Sequence, residues 1–230
     1  MTSGHVRVKQ NTVEWQNLRS ECELTASDVP TLLGLGYDSR VKLFERKVFR
    51  TGTLPPNDQL AEILLRGQDL EPHARFVMMG LLRQHIGDGD FWVRPLPGDA
   101  PGIDKPLGAS PDGVLDDGSI CELKCPMDID TVAAFSDKWW KYVIQMHVQM
   151  YCCDTSVGHL LVYHPDQGYK YWRIDFSAGL WKFIERAVRE WRYWCANPTE
   201  FPRRHLRAEK EQFIEWREHY AETNSKRYRY

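Results

Sequence analysis

The four residues Asp116-Asp117-Gly118-Ser119 lie between two apolar arms and constrain the fold more than any other stretch. An Asp-Gly pair between apolar runs is a strong hairpin signal, because a tight turn needs residues that tolerate positive φ. The residues on either side are therefore predicted to pair as antiparallel strands, with Ser119–Cys125 as the second arm. That pairing carries Asp112, on the first arm, close to Glu122 and Lys124 on the second. Side chains two apart along a strand share a face. Glu122 and Lys124 thus point one way, while Cys121, Leu123 and Cys125 point the other, into a core.

The rest of the chain sets helices around this hairpin. Asn11–Arg19 has the spacing of a short amphipathic helix. Thr25-Ala26-Ser27-Asp28 offers N-cap chemistry for a second, with Pro30 tolerated in its first turn. Gly34, Gly36 and Asp38-Ser39 interrupt it before a helix over Val41–Phe49, and Thr51–Asn57 reads as a loop. Asp58–Gly67 and Pro72–His85 are helical, with a kink or a fresh start at Pro72. From Phe91 the pattern changes: Phe91–Arg94, Gly158–Tyr163 and Tyr169–Asp175 read as further strands. Thr131–Cys153 is a long helical stretch, followed by helices near Leu180–Cys195 and Arg207–Tyr220. Trp181, Trp191, Tyr193 and Trp194 read as helix packing rather than base stacking. The expected architecture is α/β (α+β), a small mixed sheet flanked by helices, in one domain over residues 1–230. Met1–Gln10 is expected to be a flexible leader and Asn224–Tyr230 a flexible tail.

The 230 residues suffice for a sizeable core, and 42% apolar with 27% charged residues is ordinary for a globular protein. No apolar run reaches the ~18 residues of a membrane span. The first ten residues lack the apolar centre of a signal peptide, so the chain is expected in the cytoplasm. There the six cysteines are expected to be reduced and buried, and no Cys-x-x-Cys pair suggests zinc. A net charge of −2 neither supports nor excludes nucleic acid, because carboxylates gathered around a metal can offset a basic groove.

Two carboxylates and a lysine in one small space suit a hard, oxygen-seeking cation such as Mg²⁺, with Mn²⁺ as a substitute. Such a metal activates water and neutralises phosphate charge, and Lys124 can steady the negative charge that develops. The competing reading is a surface hairpin whose Glu and Lys form a weak ion pair. The apolar strand around them, with Pro111-Asp112 before and Pro126 after, favours the functional reading.

Pro111-Asp112 followed by Glu122-Leu123-Lys124 resembles the PD-(D/E)xK nuclease signature. The longer string, Ser110-Pro111-Asp112-Gly113 and then Glu122-Leu123-Lys124-Cys125-Pro126, resembles the phage lambda exonuclease family, also called viral alkaline exonucleases. Trp15 with Leu18-Arg19, Leu24-Thr25-Ala26-Ser27, Arg66-Gly67 with Glu71-Pro72, and Tyr142 with Gln145 and Gln149-Met150 match further family motifs in the same order. The resemblance implies a restriction-endonuclease-like core. It implies that Asp112 and Glu122 are metal ligands and Lys124 the catalytic lysine. The Leu123 carbonyl would complete part of the metal shell, and Glu71 would add a further acid toward the metal or its water. Arg19, Ser27, Ser110 and Gln145 would hold a terminal 5′-phosphate, with Arg40 adding to that pocket. His147 stands where the family has a second Gln, and no role is carried onto it.

The implied activity is a Mg²⁺-dependent 5′→3′ exonuclease on linear double-stranded DNA, acting in phage-type homologous recombination. The implied partners are DNA ends, two further copies in a ring-shaped homotrimer, and a single-strand annealing protein. Three alternatives share some of these features. A restriction-like or repair endonuclease would use the same acids and lysine. A DNA-end-binding or annealing partner would carry an inactive site, and an iron–sulfur helicase-nuclease would need four placed cysteines.

Overall fold

A computed structural model describes residues 4–36, 38–50, 58–100, 104–202 and 207–224. The Thr51–Asn57 loop and the tail beyond Asn224 lie outside the described residues. In chain order the elements are β1 (Gly4–Val6), α1 (Val13–Glu21), β2 (Leu24–Thr25), α2 (Val29–Leu32), α3 (Arg40–Val48), α4 (Asp58–Leu82), β3 (Ile86–Gly87), β4 (Phe91–Arg94), β5 (Leu107–Ala109), β6 (Gly113–Leu115), β7 (Ile120–Lys124), α5 (Asp137–Cys153), β8 (Val157–His164), β9 (Gly168–Asp175), α6 (Ala178–Ala196) and α7 (Arg207–Asn224).

The strands form two small mixed sheets rather than one: β1-β4-β5-β2 and β3-β6-β7-β8-β9. The hairpin falls where the turn signal put it. Gly113 pairs with Cys121 and Val114 with Ile120, while Gly118 takes the positive φ of 82° that closes the turn. β7 and β8 run parallel, so the chain between them must cross over, and α5 makes that crossing. Leader residues Gly4–Val6 are extended against β4, adding an edge strand that short, unpatterned segments do not announce.

Both faces of the larger sheet are covered. Ile120, Leu160 and Val162 meet α5 and α6 through Ile144, Met146, Ile184 and Trp191. Cys121, Leu123 and Leu161 meet Ala74 and Met78 of α4 on the other face. The predicted alternation of β7 is therefore correct, but the face carrying Glu122 is interior too: Glu122 is 1% exposed. Cys22 and Cys152 are also buried, and Cys125, Cys153 and Cys195 partly so. Trp181, Trp191 and Trp194 pack into the core, whereas Tyr193 is exposed and donates to Glu200.

Three boundaries differ from expectation for identifiable reasons. Helix α4 runs through Pro72 without a fresh start. Its two halves are anchored to the same region: Arg66 donates to the Cys125 and Pro126 carbonyls at 2.9 and 3.0 Å, and Ala74 and Met78 are buried against β7. Helix α5 starts at Asp137, because Phe135 takes a positive φ of 67° and Ser136 then caps the Trp139 N–H. Asp28 precedes the one-turn α2 without capping it. Its carboxylate instead accepts from the Thr25 N–H at 2.9 Å and pairs with Arg46 and Lys47.

Candidate active site

The site forms where the β6–β7 hairpin lies between α4 and α5. The Asp112 N–H donates to the Cys121 carbonyl at 3.0 Å, and the Leu123 N–H donates to Asp112 Oδ2 at 2.6 Å. These two backbone bonds hold the Asp112 carboxylate beside Glu122. Gly89 and Gly113 permit the close packing around it. A Cβ on Gly89 would fall 1.7 Å from the Pro111 carbonyl oxygen, and one on Gly113 would fall 2.2 Å from Ile86 and 3.1 Å from Arg75.

Glu122 is held from three sides. Lys124 and Gln145 donate to Oε1, and Gln149 donates to Oε2 at 2.5 Å. Gln145 and Gln149, one turn apart, lie on the face of α5 that is laid over Glu122. The motif resemblance puts Gln145 at the phosphate pocket, and here its amide turns to the carboxylate.

Burial, then the neighbouring Glu122 charge, pushes the Asp112 carboxyl up to about 8. Burial alone would lower the Lys124 ammonium, but Glu122 and Asp112 outweigh it and raise its pKa well above the ordinary lysine value. The site thus holds one firm ammonium and an Asp112 carboxyl that burial and the Glu122 charge keep from ionising, and a divalent cation would favour its carboxylate form. Carboxylate and carbonyl oxygens are also the donors that hard cations take. Glu71 stands on α4, 43% exposed at its side chain, 3.4 Å from Arg75. Among the described residues no group of three His, Cys, Asp or Glu closes into a cluster, so Glu71 is near Asp112 without completing a three-ligand set.

Arg75 is a site residue that sequence reasoning missed. It donates to the Asp112 carbonyl, to the Gly87 carbonyl at 3.3 Å and to Glu71, so it ties α4 to the hairpin at Asp112. Its i,i+4 spacing from Glu71 was the available signal.

The residues expected to bind the 5′-phosphate join the carboxylates through a continuous set of contacts. Arg19 donates to Thr25 Oγ1 at 3.2 Å and Ser27 Oγ at 3.0 Å, and its guanidinium lies 4.4 Å from the Trp15 ring centroid. Trp15 Nε1 donates to Ser110 Oγ at 2.7 Å, and Gln149 reaches the Ser110 carbonyl at 3.4 Å. The series Arg19, Trp15, Ser110, Gln149, Glu122 therefore connects α1 to the carboxylates. Arg19 is lowered from its ordinary pKa by burial, partly offset by Asp28. Burial would raise Asp28, but Lys47 and the Thr25 and Arg19 contacts hold it below the usual range.

Arg40 is the departure. It is 6% exposed, with its guanidinium 4.5 Å from the Trp194 ring centroid and 5.8 Å from that of Phe201. It is built into an aromatic cluster with α6, where burial and cation–π attraction hold it. His147, left without a role, is structural: Nδ1 meets the Val143 carbonyl at 2.8 Å and Nε2 accepts from the Ser177 N–H at 3.0 Å. Burial lowers it to about 4, which keeps it neutral.

Residues 14–156, more than half of the chain, match the YqaJ-like viral recombinase domain. Among solved structures the chain is similar to the alkaline exonuclease LHK-Exo from Laribacter hongkongensis. The two are 28% identical with a TM-score of 0.65, over 82% of this chain and 95% of that one. LHK-Exo in complex with dAMP matches at 26% identity and a TM-score of 0.64, over the same shares. A phage related exonuclease from Haemophilus somnus 129PT shares the fold at 13% identity, with a TM-score of 0.56 over 77% of this chain and 96% of that one. No curated protein matches. Family match and fold agree with the motif resemblance: the chain belongs to the YqaJ-like viral recombinase domain family, among the lambda exonuclease-like DNA exonucleases.

Proposed function

We propose that the chain is a Mg²⁺-dependent 5′→3′ exonuclease that degrades linear double-stranded DNA from 5′-phosphorylated ends during phage-type recombination. The observation that carries this reading is the seating of Asp112 beside the buried Glu122, under the Lys124 ammonium and linked by contacts to Arg19. Asp112, Glu122 and the Leu123 carbonyl would hold the cation, with Glu71 toward it or its water and Mn²⁺ as a substitute. When bound, such a cation acidifies a coordinated water and neutralises charge on a phosphate oxygen.

The chain's own groups do the rest. Gln145 and Gln149 fix the plane of the Glu122 carboxylate, so its free lone pairs keep one direction. Lys124 keeps its proton and places positive charge where a phosphate gains negative charge. Arg19, with Ser27 and Ser110, would grip the terminal phosphate and so set polarity, because a guanidinium binds phosphate by charge-assisted, bidentate bonds. The related LHK-Exo binds dAMP, a mononucleotide of the kind an exonuclease releases. A homotrimeric ring around the duplex, a single-strand annealing partner and a cytoplasmic setting belong to the same reading.

The test is digestion of matched linear duplexes differing only in a 5′-phosphate or 5′-hydroxyl, with products mapped on each strand. Faster loss of the phosphorylated strand from its 5′ end is expected. Digestion from the 3′ end, or cutting of closed circular DNA, would overturn the reading.

A further inference from the structure

We propose that Trp15 is a positioning residue that commits the Ser110 hydroxyl to donate to the terminal 5′-phosphate and seats Arg19 beside it. The inference rests on the nuclease reading, and within it names the group that lets the site tell a phosphorylated end from a hydroxyl end. Trp15 and Arg19 stand one turn apart on α1, so their side chains leave the same face of the helix. The Trp15 indole N–H donates to Ser110 Oγ at 2.7 Å, and the Arg19 guanidinium lies over the indole, 4.4 Å from the ring centroid. One side chain thus holds Ser110 by its edge and Arg19 by its face.

The protons decide the roles. An indole N–H can only donate, so Ser110 Oγ must accept from Trp15 and keeps its own proton for another partner. Among the described residues no group takes that proton. The neighbouring hydroxyls are committed. Thr25 Oγ1 donates to the Asp28 carboxylate at 2.8 Å, so in its 3.1 Å bond with Ser27 it accepts and Ser27 gives the proton. Arg19 donates to both oxygens, and Ser27 therefore serves the grip through Arg19.

Arg19 forms no ion pair among the described residues, Asp28 being paired with Arg46 and Lys47 instead. A phosphate monoester supplies what Ser110 and Arg19 lack, oxygens that accept a hydroxyl proton and charge that matches a guanidinium. A 5′-hydroxyl end brings neither the charge nor the extra oxygens. Ser110 is also fixed to the carboxylate side of the site, because its carbonyl accepts from Gln149, which donates to Glu122. The hydroxyl that reads the end is thereby held in register with the carboxylates.

The experiment measures kcat/KM in Mg²⁺ and Kd in Ca²⁺ on matched linear duplexes ending in a 5′-phosphate or a 5′-hydroxyl. Wild type is compared with Trp15→Phe, which keeps a ring beneath Arg19 and removes the N–H, with Ser110→Ala, and with the double variant. Each single variant should lower the preference for phosphorylated ends about tenfold, because a hydrogen bond to a charged group is lost or misdirected. The double variant should lose no more than either single one, since both act through one hydroxyl. An unchanged preference in Trp15→Phe would overturn the proposal. So would equal slowing on both ends, which reduces Trp15 to packing, or multiplied losses in the double variant, which separate Trp15 from Ser110. If Trp15→Phe melts early, the indole N–H signals of wild type labelled at its tryptophan nitrogens decide. One signal must move both in Ser110→Ala and on adding 5′-phosphorylated duplex in Ca²⁺, but not on adding the 5′-hydroxyl duplex; the absence of such a signal overturns the proposal. A wild type with no preference for phosphorylated ends would refute the terminal-phosphate reading itself, whereas a preference that survives Trp15→Phe refutes only the role given to Trp15.

Discussion

Replacing Asp112 by Asn should abolish cleavage and yet stabilise the metal-free protein at alkaline pH. In the folded protein this carboxyl keeps its proton up to about 8, whereas its ordinary pKa is 3.8. Between those values the native state holds more protons than the unfolded chain, so stability falls as pH rises. The penalty is absent below about pH 4 and complete above about pH 8. A tenfold change in proton affinity is about 1.4 kcal/mol, which sets an upper bound of roughly 6 kcal/mol. Asp112 is only partly buried, so solvent screening reduces this to an expected gain of about 1–3 kcal/mol for Asp112→Asn. The Leu123 N–H retains an acceptor, because an amide oxygen can replace Oδ2. For a chain this long the gain corresponds to a Tm higher by about 3–10 °C. Thermal melts in EDTA at about pH 9 and about pH 4 test it: the gap should open at the high pH and close at the low one. Mg²⁺ should raise the wild-type Tm by binding the native state and narrow the gap. A variant melting below wild type at about pH 9 would refute the argument that Asp112 is held against Glu122 at a cost to folding.

Three further outcomes follow from the same geometry. Lys124→Met should lower kcat roughly 100- to 1000-fold while leaving Mg²⁺ affinity little changed, since an ammonium is not a metal ligand; Lys124→Arg should rescue poorly, because a planar fork does not replace a compact charge. Arg19→Ala should slow digestion of 5′-phosphorylated duplexes about 10- to 100-fold and leave 5′-hydroxyl ends nearly unchanged, as read from initial rates on matched substrates. Arg75→Met should cost about 1–3 kcal/mol in thermal or urea unfolding and weaken Mg²⁺ binding, because the Asp112 and Gly87 carbonyls lose their charged donor.

The hairpin was legible because an Asp-Gly turn and a two-residue alternation are local signals, and both strand arms and the Asp112–Glu122 approach followed from them. Strands β4, β8 and β9 were legible for the same reason. The two-residue strands β2 and β3 were not, since they form only where partners elsewhere in the chain offer backbone groups. The division into two sheets depends on such long-range pairings. Arg40 shows the limit for site residues: motif position suggested a phosphate contact, but Trp194 and Phe201, far away in sequence, determine where its guanidinium rests. Arg75 shows the converse. Its place one helix turn beyond Glu71 shows no more than an intrahelical pair, and only folding α4 onto the hairpin brings it to the Asp112 carbonyl.

If Asp112 and Glu122 form a divalent-cation site that hydrolyses DNA phosphodiesters, cleavage must depend on both carboxylates and on the metal. Release of acid-soluble nucleotides from a 5′-phosphorylated linear duplex, followed over a Mg²⁺ titration for wild type, Asp112→Ala and Glu122→Ala, tests it most directly. Saturable, EDTA-sensitive release by wild type is expected, with none by either variant at any Mg²⁺ concentration and both variants still folded. Near-wild-type release by either variant, or wild-type release that persists in EDTA, would contradict it.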